Sequence, residues 1–231
     1  MSAPEPVRIV LATHHPRNDP LEAALRAVAG YEVLRVREKG ELTAAALAEF
    51  GAQWVFAPHW SHIIPESVFG AFPTVIFHMT DLPYGRGGSP LQNLIARGHG
   101  ETMLTALRCE AGLDTGPVYL KRPLSLAGTA EEILRRASGL MLPMIRAIVD
   151  NALEPVAQTG EPTVFARRTP AMSALDEAQD AYDHIRMLDA EGYPHAFVET
   201  RRYTITFTNA RRAGNGEVLA EARIKRRTPE S

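Results

Sequence analysis

Residues 74–90 read TVIFHMTDLPYGRGGSP, and this stretch decides the fold class. Its β-branched run at residues 74–76 predicts a strand that brings His78 to the start of a loop rich in glycine and proline. Enzymes built from alternating strands and helices carry their chemistry on loops at the carboxyl ends of such strands. We therefore expect His78 to be a catalytic residue.

The chain before this stretch alternates short apolar strands with helices. The pattern predicts strands at residues 7–13, 31–36 and 54–57, and helices at residues 21–28 and 42–50. Such alternation is typical of an α/β fold with a doubly wound, mostly parallel, Rossmann-like sheet. No GxGxxG motif follows the first strand, which disfavours a nicotinamide or flavin cofactor.

The chain after this stretch predicts a short helix at residues 91–97 and strands at residues 102–109 and 117–121. A long helix follows, because apolar residues recur at helical spacing from Thr129 onward, with Glu132 suited to a capping box. We expect this helix to cover the sheet and to close a catalytic domain of residues 1–153.

The remaining residues predict a small C-terminal extension of helix and β-strands. Residues 154–174 are rich in Pro, Thr and Gly and predict an extended linker, which leaves residues 175–231 for the extension. The extension predicts a helix at residues 175–188 and strands at residues 196–199, 203–208 and 218–224. These strands are basic, which suits either phosphate contacts or a solvated edge that discourages aggregation.

The composition is that of a globular protein of a reducing compartment. Hydrophobic residues make up 45% of the 231 residues, yet no apolar run approaches the roughly 18–20 residues that cross a bilayer. The N-terminus lacks the basic start and apolar core of a secretory signal, so we expect a cytoplasmic protein. The single cysteine, Cys109, ends an apolar run and is read as a buried structural thiol rather than a nucleophile.

The order and spacing of several short motifs resemble one known family. His78 precedes Pro83, Arg86-Gly87 and Pro90, and the run LDTGP follows at residues 113–117. Together these resemble the signature of the folate-dependent formyltransferases, and residues 192–197, GYPHAF, resemble the segment after the catalytic domain in the family's tRNA and sugar branches. The resemblance implies the formyltransferase fold, N10-formyltetrahydrofolate as co-substrate, and no metal.

The family's reaction moves a formyl group to an amine, which requires proton transfer and stabilisation of a developing oxyanion. Histidine titrates near neutral pH, and a nearby carboxylate can fix its tautomer or favour its charged form. The resemblance implies that His78 and Asp114 fill these roles. For either residue alone, a satisfied histidine or an Asx-turn aspartate would be the simpler interpretation.

One position departs from the family pattern. Two residues before the catalytic histidine the family usually has an asparagine whose amide helps bind the oxyanion, whereas this chain has Ile76. An isoleucine donates no hydrogen bond, so another group must act. The candidates are His78 itself, which we favour, the Thr80 hydroxyl, a backbone N–H of the loop, and Asn93.

The resemblance also implies ligand-binding residues on neighbouring loops. The predicted folate-binding set is Trp60, Ile63, Ile64, Pro65, Leu113 and Asp114. Covering the edge of the core is an equally good interpretation of the aromatic and aliphatic members. The predicted substrate-binding set is Arg86, Gly87, Gly88, Gln92 and His14, in which the glycines form either an anion cradle or a structural turn.

The acceptor amine is the least determined part of the function. We expect an activated or nucleotide-linked amino sugar, because the chain is longer than the family's minimal purine-pathway enzymes and its tail is too short for the full C-terminal domain of the tRNA enzyme. A nucleic-acid or membrane partner is then disfavoured, and a homodimer through the C-terminal extension is an option. The alternatives are a methionyl-tRNA formyltransferase-like enzyme, a formyltetrahydrofolate deformylase, and a non-catalytic folate-binding protein.

Overall fold

The structure is a computed structural model that describes residues 5–227, and at residue 177 the backbone alone. The strands are β1 (Val7–Ala12), β2 (Tyr31–Val36), β3 (Trp54–Ala57), β4 (Thr74–His78), β5 (Arg86–Gly87), β6 (Glu101–Arg108), β7 (Val118–Ser125), β8 (Val164–Phe165), β9 (Ala196–Glu199), β10 (Tyr203–Arg212) and β11 (Val218–Arg226). The α-helices are α1 (Asp19–Arg26), α2 (Ala44–Phe50), α3 (Glu66–Phe69), α4 (Pro90–Ala96), α5 (Ala130–Asp150) and α6 (Ala181–Arg186).

Six strands form the main sheet in the order β2-β1-β3-β4-β6-β7. The first four pair in parallel, and β4 pairs with β6 in the antiparallel sense. The predicted fold class, an α/β protein with a mostly parallel sheet and a β-rich C-terminal extension, is confirmed. From β1 the chain adds β2 on one side and then crosses to add β3 and β4 on the other side of β1. Because β1, β3 and β4 are parallel, the loops that follow them reach the same edge of the sheet.

Packing distinguishes two compact units within the chain. The first takes in the described part of Met1–Arg86 together with Met103–Leu124 and Arg135–Val164. The second takes in Gly87–Thr102, Ser125–Leu134 and the described part of Phe165–Ser231. The boundaries at residues 153 and 174 that the sequence suggests stay a prediction, because packing alone does not say which segments fold on their own.

The core of the first unit lies on the main sheet. One buried cluster joins strand and helix residues: Val10, Ala12, Val36, Leu42, Leu47, Val55, Ala57, Ile64 and Val68. The long helix α5 buries Met141, Met144, Ile145 and Ile148 completely. Ser138 of this helix donates to the Asn18 side chain at 2.7 Å, which fixes α5 next to the loop after β1.

The second unit contains α4, α6 and a three-stranded antiparallel sheet in the order β11-β10-β9. The helix predicted over residues 175–188 is wrong in extent: a single 3-10 turn (Leu175–Glu177) precedes α6, which covers only Ala181–Arg186. The reason is local, because the Asp180 side chain accepts a hydrogen bond from the Asp183 N–H and thereby caps a new helix.

The start of α5 agrees with the sequence prediction. Glu132 accepts from the Thr129 N–H at 2.8 Å, and Thr129 accepts from the Glu132 N–H at 3.3 Å, which is the predicted capping box. Within residues 5–227, no helix has the length and apolar character needed to span a membrane.

Candidate active site

His78 ends β4 and is 7% exposed. Its Nε2 lies 2.8 Å from the carbonyl oxygen of Gly85, and its Nδ1 lies 3.4 Å from Oδ2 of Asp114. A carbonyl oxygen only accepts hydrogen bonds, so Nε2 must carry a proton in this arrangement. The opposite nitrogen, Nδ1, is therefore the position at which a second proton can be exchanged with the carboxylate.

Asp114 lies on a tight turn between β6 and β7. Its backbone has a φ of 53°, in the left-handed region that aspartate tolerates better than most residues. The turn is closed where the Arg108 N–H donates to the Pro117 carbonyl at 2.9 Å. A side chain on Gly116 would place its Cβ only 1.9 Å from the Arg108 carbonyl oxygen, so the chain approaches itself here as only glycine allows.

The loop after His78 is fixed from two directions within the first unit. Lys121 of β7 donates to the side chain of Asp81 and to the carbonyl of Leu82. Thr163 accepts from the Gly85 N–H at 2.7 Å through its hydroxyl and from the Arg86 N–H at 2.9 Å through its carbonyl. The Gly85 carbonyl, which faces His78, is therefore held in place by the bonds of the Gly85 and Arg86 N–H groups to Thr163.

The predicted substrate-binding residue Arg86 binds another side chain of the protein. Its guanidinium donates twice to the Oε1 atom of Gln158, at 3.1 and 2.8 Å. The amide of Gln158 in turn donates to the carbonyls of Asp114 and Gly116, both at 2.8 Å. Sequence reasoning missed Gln158 and Thr163, because a segment without periodicity gives no sign of which remote loops it will contact.

The residues predicted to donate a hydrogen bond to the oxyanion differ in whether their hydrogens already have acceptors. Ile76 packs its side chain against the core cluster of the main sheet. Thr80 is fully buried, and its hydroxyl is 3.4 Å from the Gly85 carbonyl, a long contact that leaves the donor weakly bound. In the second unit, the amide of Asn93 donates to the carbonyls of Gly88, Ser89 and Ala166 at 3.0–3.1 Å, which accounts for both of its hydrogens.

The other predicted substrate residues of the second unit have structural contacts. The Gly88 N–H donates to the Phe165 carbonyl at 3.2 Å, and a Cβ at this glycine would lie 2.6 Å from the Cβ of Arg167. Gly87 is buried, with a φ of 102°. Gln92 is 1% exposed and donates to the Met187 carbonyl at 3.1 Å. These contacts favour the structural-turn interpretation of the glycines, while substrate binding by these residues stays a prediction.

The predicted folate-binding residues divide into buried and exposed members. Ile64 belongs to the core cluster, Trp60 packs against it, and Pro65 precedes α3. Ile63 is 88% exposed and Leu113 is 65% exposed. Ile64 supports the core, and folate binding by the exposed pair stays a prediction.

His14 belongs to an aromatic cluster on the loops after β1 and β3. Its ring centroid lies 3.9 Å from that of His15 and about 6 Å from those of Trp60 and His62, at 6.2 and 6.1 Å. Burial, followed by the charge of His62, lowers the pKa of His14. Burial also lowers the pKa of His59 to about 3, with the charges of Arg17 and His15 acting in the same direction.

Cys109 lies at the end of β6, and its backbone N–H donates to the Thr74 carbonyl at 2.7 Å. Burial raises the pKa of its thiol to about 11, and the charges of Asp114 and Glu110 add to this effect. The thiol is thus a poor nucleophile near neutral pH. Across residues 5–227, no three His, Cys, Asp or Glu side chains are arranged to hold a metal ion.

Comparison with known proteins gives consistent family names. The family model described as "Methionyl-tRNA formyltransferase, C-terminal domain" matches residues 169–225. The methionyl-tRNA formyltransferase of Acidothermus cellulolyticus is 31% identical over 186 residues, which cover 76% of this chain and 57% of the relative. The chain spans a little over half the length of such curated relatives.

Two solved structures separate the branches of the family. A methionyl-tRNA formyltransferase from Clostridium thermocellum has a TM-score of 0.91 and 41% identity, over 95% of this chain and 99% of that chain. A sugar N-formyltransferase from Shewanella sp. has a TM-score of 0.63 and 12% identity, over 93% of this chain and 96% of that chain. The second likeness reflects a shared fold alone.

These comparisons contradict the predicted acceptor. The expectations of an amino-sugar substrate, of nearest kinship with the sugar branch, and of no nucleic-acid partner are wrong, because the more similar proteins are methionyl-tRNA formyltransferases. The error came from treating the tail as too short for the C-terminal domain of the tRNA enzyme. Residues 169–225 match the model of that domain.

The solved methionyl-tRNA formyltransferase is aligned with this chain almost from end to end at 41% identity. The predicted residues His78 and Asp114 lie within 3.4 Å of each other, on a sheet of the expected topology. The chain therefore belongs to the folate-dependent formyltransferase family.

Proposed function

We propose that this protein transfers the formyl group of N10-formyltetrahydrofolate to the α-amino group of methionine esterified to tRNA. The observation that carries the proposal is the His78–Asp114 pair in a chain that aligns, over nearly its whole length, with a methionyl-tRNA formyltransferase at 41% identity. The match of residues 169–225 to the C-terminal domain model of that enzyme supports the same acceptor.

The reaction forms a bond between the amine nitrogen and the formyl carbon and breaks the bond between that carbon and N10 of the folate. The attacking amine loses one proton, and N10 gains one. The chain must therefore hold and return a proton without letting it escape to water. His78 is 7% exposed and Asp114 is largely buried, so a proton shared between Nδ1 and Oδ2 is shielded from solvent.

In this proposal His78 and Asp114 divide the work. Nδ1 of His78 accepts the proton that the amine gives up, the Asp114 carboxylate stabilises the imidazolium that forms, and the imidazolium then supplies that proton to the departing nitrogen. The Gly85 carbonyl holds the imidazole ring in place through Nε2. A fixed ring matters because the 3.4 Å between Nδ1 and Oδ2 then has to shorten only slightly to reach the roughly 2.6–3.2 Å of a catalytic hydrogen bond.

The formyl oxygen gains negative charge during attack, and this chain has Ile76 where the family usually has an amide donor. Asn93 is left out of the proposed catalytic set, since three carbonyls accept from its amide. Both ring nitrogens of His78 already face acceptors, the Gly85 carbonyl and Asp114, so the weakly bound Thr80 hydroxyl is the proposed donor. A single oxyanion donor lowers the barrier by roughly 3 kcal/mol in other acyl transfers.

The exposed apolar side chains suit a folate. The pterin and benzoate rings are flat and apolar on their faces, and such rings bind against aliphatic and aromatic side chains. Ile63 and Leu113 offer that surface on the loops after β3 and β6, next in sequence to Ile64 and Asp114 respectively. The folate supplies the formyl carbon, and the chain supplies orientation and proton transfer.

A direct test measures formyl transfer from N10-formyltetrahydrofolate to methionyl-tRNA by the purified protein. We expect formylmethionyl-tRNA as product, and a fall in kcat of about 100-fold or more for His78→Ala and for Asp114→Asn, as is typical when a proton-transfer group is lost. His99→Gln, which removes a histidine outside the proposed site, serves as the matched control and should keep its activity.

Three outcomes would overturn the proposal. Formate release at the same rate with and without methionyl-tRNA would indicate hydrolysis. Folate binding without any transfer would indicate a binding protein, and full activity of His78→Ala would remove the proposed acid–base residue. Thermal unfolding of each variant, compared with the parent protein, separates these outcomes from simple misfolding.

A further inference from the structure

We propose that Gln158 is a positioning residue of the transfer reaction, which joins Arg86 to the turn that carries Asp114 and so holds that carboxylate against His78. The inference rests on the proposed function of the His78–Asp114 pair. It assigns a role to a residue of the segment after α5 that carries no recognisable motif. All the atoms involved belong to the first unit.

The amide of Gln158 uses its full hydrogen-bonding capacity at this place. Its two N–H groups donate to the carbonyls of Asp114 and Gly116, each at 2.8 Å, and its oxygen accepts two bonds from Arg86, at 3.1 and 2.8 Å. A primary amide has two donors and one oxygen with two lone pairs, so all four are engaged. Such complete use indicates a side chain fixed in one orientation.

The Asp114 turn needs an outside support. Asp114 and Gly112 both have left-handed backbone conformations, with φ of 53° and 109°, and Leu113 between them is 65% exposed. Within the turn, the bond from the Thr115 hydroxyl to the Ala111 carbonyl is long, at 3.4 Å. The two short bonds from Gln158 tie the Asp114 and Gly116 carbonyls to a segment outside the turn.

Gln158 itself is anchored on both sides along the chain. Before it, Val156 forms a pair of 2.8 Å backbone hydrogen bonds with Val118 of β7. After it, Thr163 binds the backbone of Gly85 and Arg86. One short segment thus connects the loop whose carbonyl binds His78 to the turn that presents Asp114.

Arg86 acquires a defined purpose in this arrangement. Its guanidinium donates two hydrogen bonds to the amide oxygen of Gln158. The positive charge polarises that amide and strengthens the hydrogen bonds that the amide nitrogen donates. From the sequence, Arg86 is predicted to bind the substrate directly. The two roles differ in what they predict, because substrate binding affects KM whereas positioning affects kcat.

The test compares Gln158→Ala, Gln158→Glu, Arg86→Ala and the double variant Arg86→Ala/Gln158→Ala in the transfer assay. We expect kcat to fall about 10- to 100-fold in Gln158→Ala, with KM for both substrates within about twofold, as for a misplacement on the order of 1 Å. Gln158→Glu keeps a partner for Arg86 but has no N–H, so it should lose as much activity. The double variant should be no worse than Gln158→Ala alone.

Thr159→Ala is the matched control, since Thr159 is exposed on the same segment. Amide hydrogen exchange of residues 111–117 gives a readout that needs no substrate: exchange should be faster in Gln158→Ala and Gln158→Glu and unchanged in Thr159→Ala. If the parent protein transfers no formyl group, the proposed function fails, whereas hydrogen exchange still tests the support of the turn.

Unchanged exchange and unchanged kcat in both Gln158 variants would overturn the positioning role. Additive losses in the double variant, with a raised KM in Arg86→Ala, would overturn it as well, because Arg86 would then act on the substrate. Should Gln158→Ala fold poorly, Gln158→Glu decides the question, since it keeps the length and polarity of the side chain.

Discussion

At the scale of single residues, the thiol pKa of Cys109 depends on the negative charge of Asp114 in the proposed site. A rise in thiol pKa from 9.0 to about 11 lowers the thiolate fraction at pH 8 about 100-fold. We expect alkylation of Cys109 by iodoacetamide to be slower than that of an exposed thiol by about this factor. Mass spectrometry of the labelled protein over time measures the rate.

Asp114→Asn should speed this labelling, because Asp114 is the largest charge effect on the thiol after burial. The rate in urea, where burial is lost, gives the reference for an ordinary cysteine. Labelling of the native protein at that reference rate would show that the thiol is neither buried nor close to a negative charge.

His59 should make the protein less stable in mild acid. Its pKa is about 3 in the folded protein and 6.5 when unfolded, so between these values the unfolded chain binds more protons. The contribution of neutral His59 to the free energy of unfolding is therefore complete above pH 6.5 and is lost as the pH falls from 6.5 toward 3. The loss by pH 5 is about 2 kcal/mol, at roughly 1.4 kcal/mol per pH unit.

Asn is a suitable replacement for His59, because this position has a left-handed backbone with φ of 52°. We expect the free energy of unfolding to fall less between pH 8 and pH 5 in His59→Asn than in the parent protein. Urea unfolding at each pH measures this difference. Parallel stability curves for the two proteins would mean that His59 is already accessible to protons when folded.

At the scale of elements, the turn between β6 and β7 depends on Gly116. An added Cβ would meet the Arg108 carbonyl oxygen at 1.9 Å, and a backbone atom cannot move aside as the end of a side chain can. We expect Gly116→Ala to lower the free energy of unfolding by about 1–3 kcal/mol, as for other overpacked sites, and to reduce kcat by displacing Asp114.

Gly139 provides a control of opposite sign for this change. It lies on the exposed face of α5, and an added Cβ would meet no atom within 4 Å. Gly139→Ala should raise stability by about 1 kcal/mol through helix propensity and leave kcat unchanged. A Gly116→Ala variant as stable and active as Gly139→Ala would show that the turn has room for a side chain at this position.

The elements differ in how far the sequence predicts them. Strands such as β2 and β3 and the start of α5 follow from local periodicity and capping, and their predicted bounds agree with the structure to within a residue or two. The helix expected over residues 175–188 fails because the Asp180 side chain caps a later start. Residues 154–164 show no helix or strand periodicity. Their conformation is fixed by hydrogen bonds to loops about 40–80 residues away, such as those of Asp114 and Gly85, which a local pattern cannot predict.

At the scale of the whole chain, the site was more predictable than its substrate. His78 and Asp114 could be paired because the order and spacing of their motifs resemble the signature of the folate-dependent formyltransferases, and the structure places the two side chains 3.4 Å apart. The acceptor could not be inferred from chain length, since a domain is recognised by its pattern and not by its size. The net charge of −2 also concealed a basic C-terminal extension, where residues 201–227 contain eight Lys and Arg against two acids.

That basic extension should contact tRNA through the three-stranded sheet of the second unit. Arg223 and Lys225 are exposed on β11, opposite Thr206 and Thr204 of β10, so both side chains lie on one face. Cations that neutralise phosphates release counterions, and each such contact adds about 0.7–0.9 to the slope of log K against log salt. Arg223→Gln/Lys225→Gln should thus weaken tRNA binding and reduce that slope by about 1.4–1.8.

Filter binding of methionyl-tRNA between low and moderate salt measures both quantities. Arg37→Gln/Lys39→Gln, which removes the same charge from exposed positions of the first unit, is the matched control and should leave the slope as it is. An equal reduction in both double variants would mean that net charge alone governs binding. An unchanged slope in Arg223→Gln/Lys225→Gln would exclude this face of the sheet from phosphate contact, because counterion release depends on where the cations meet the RNA.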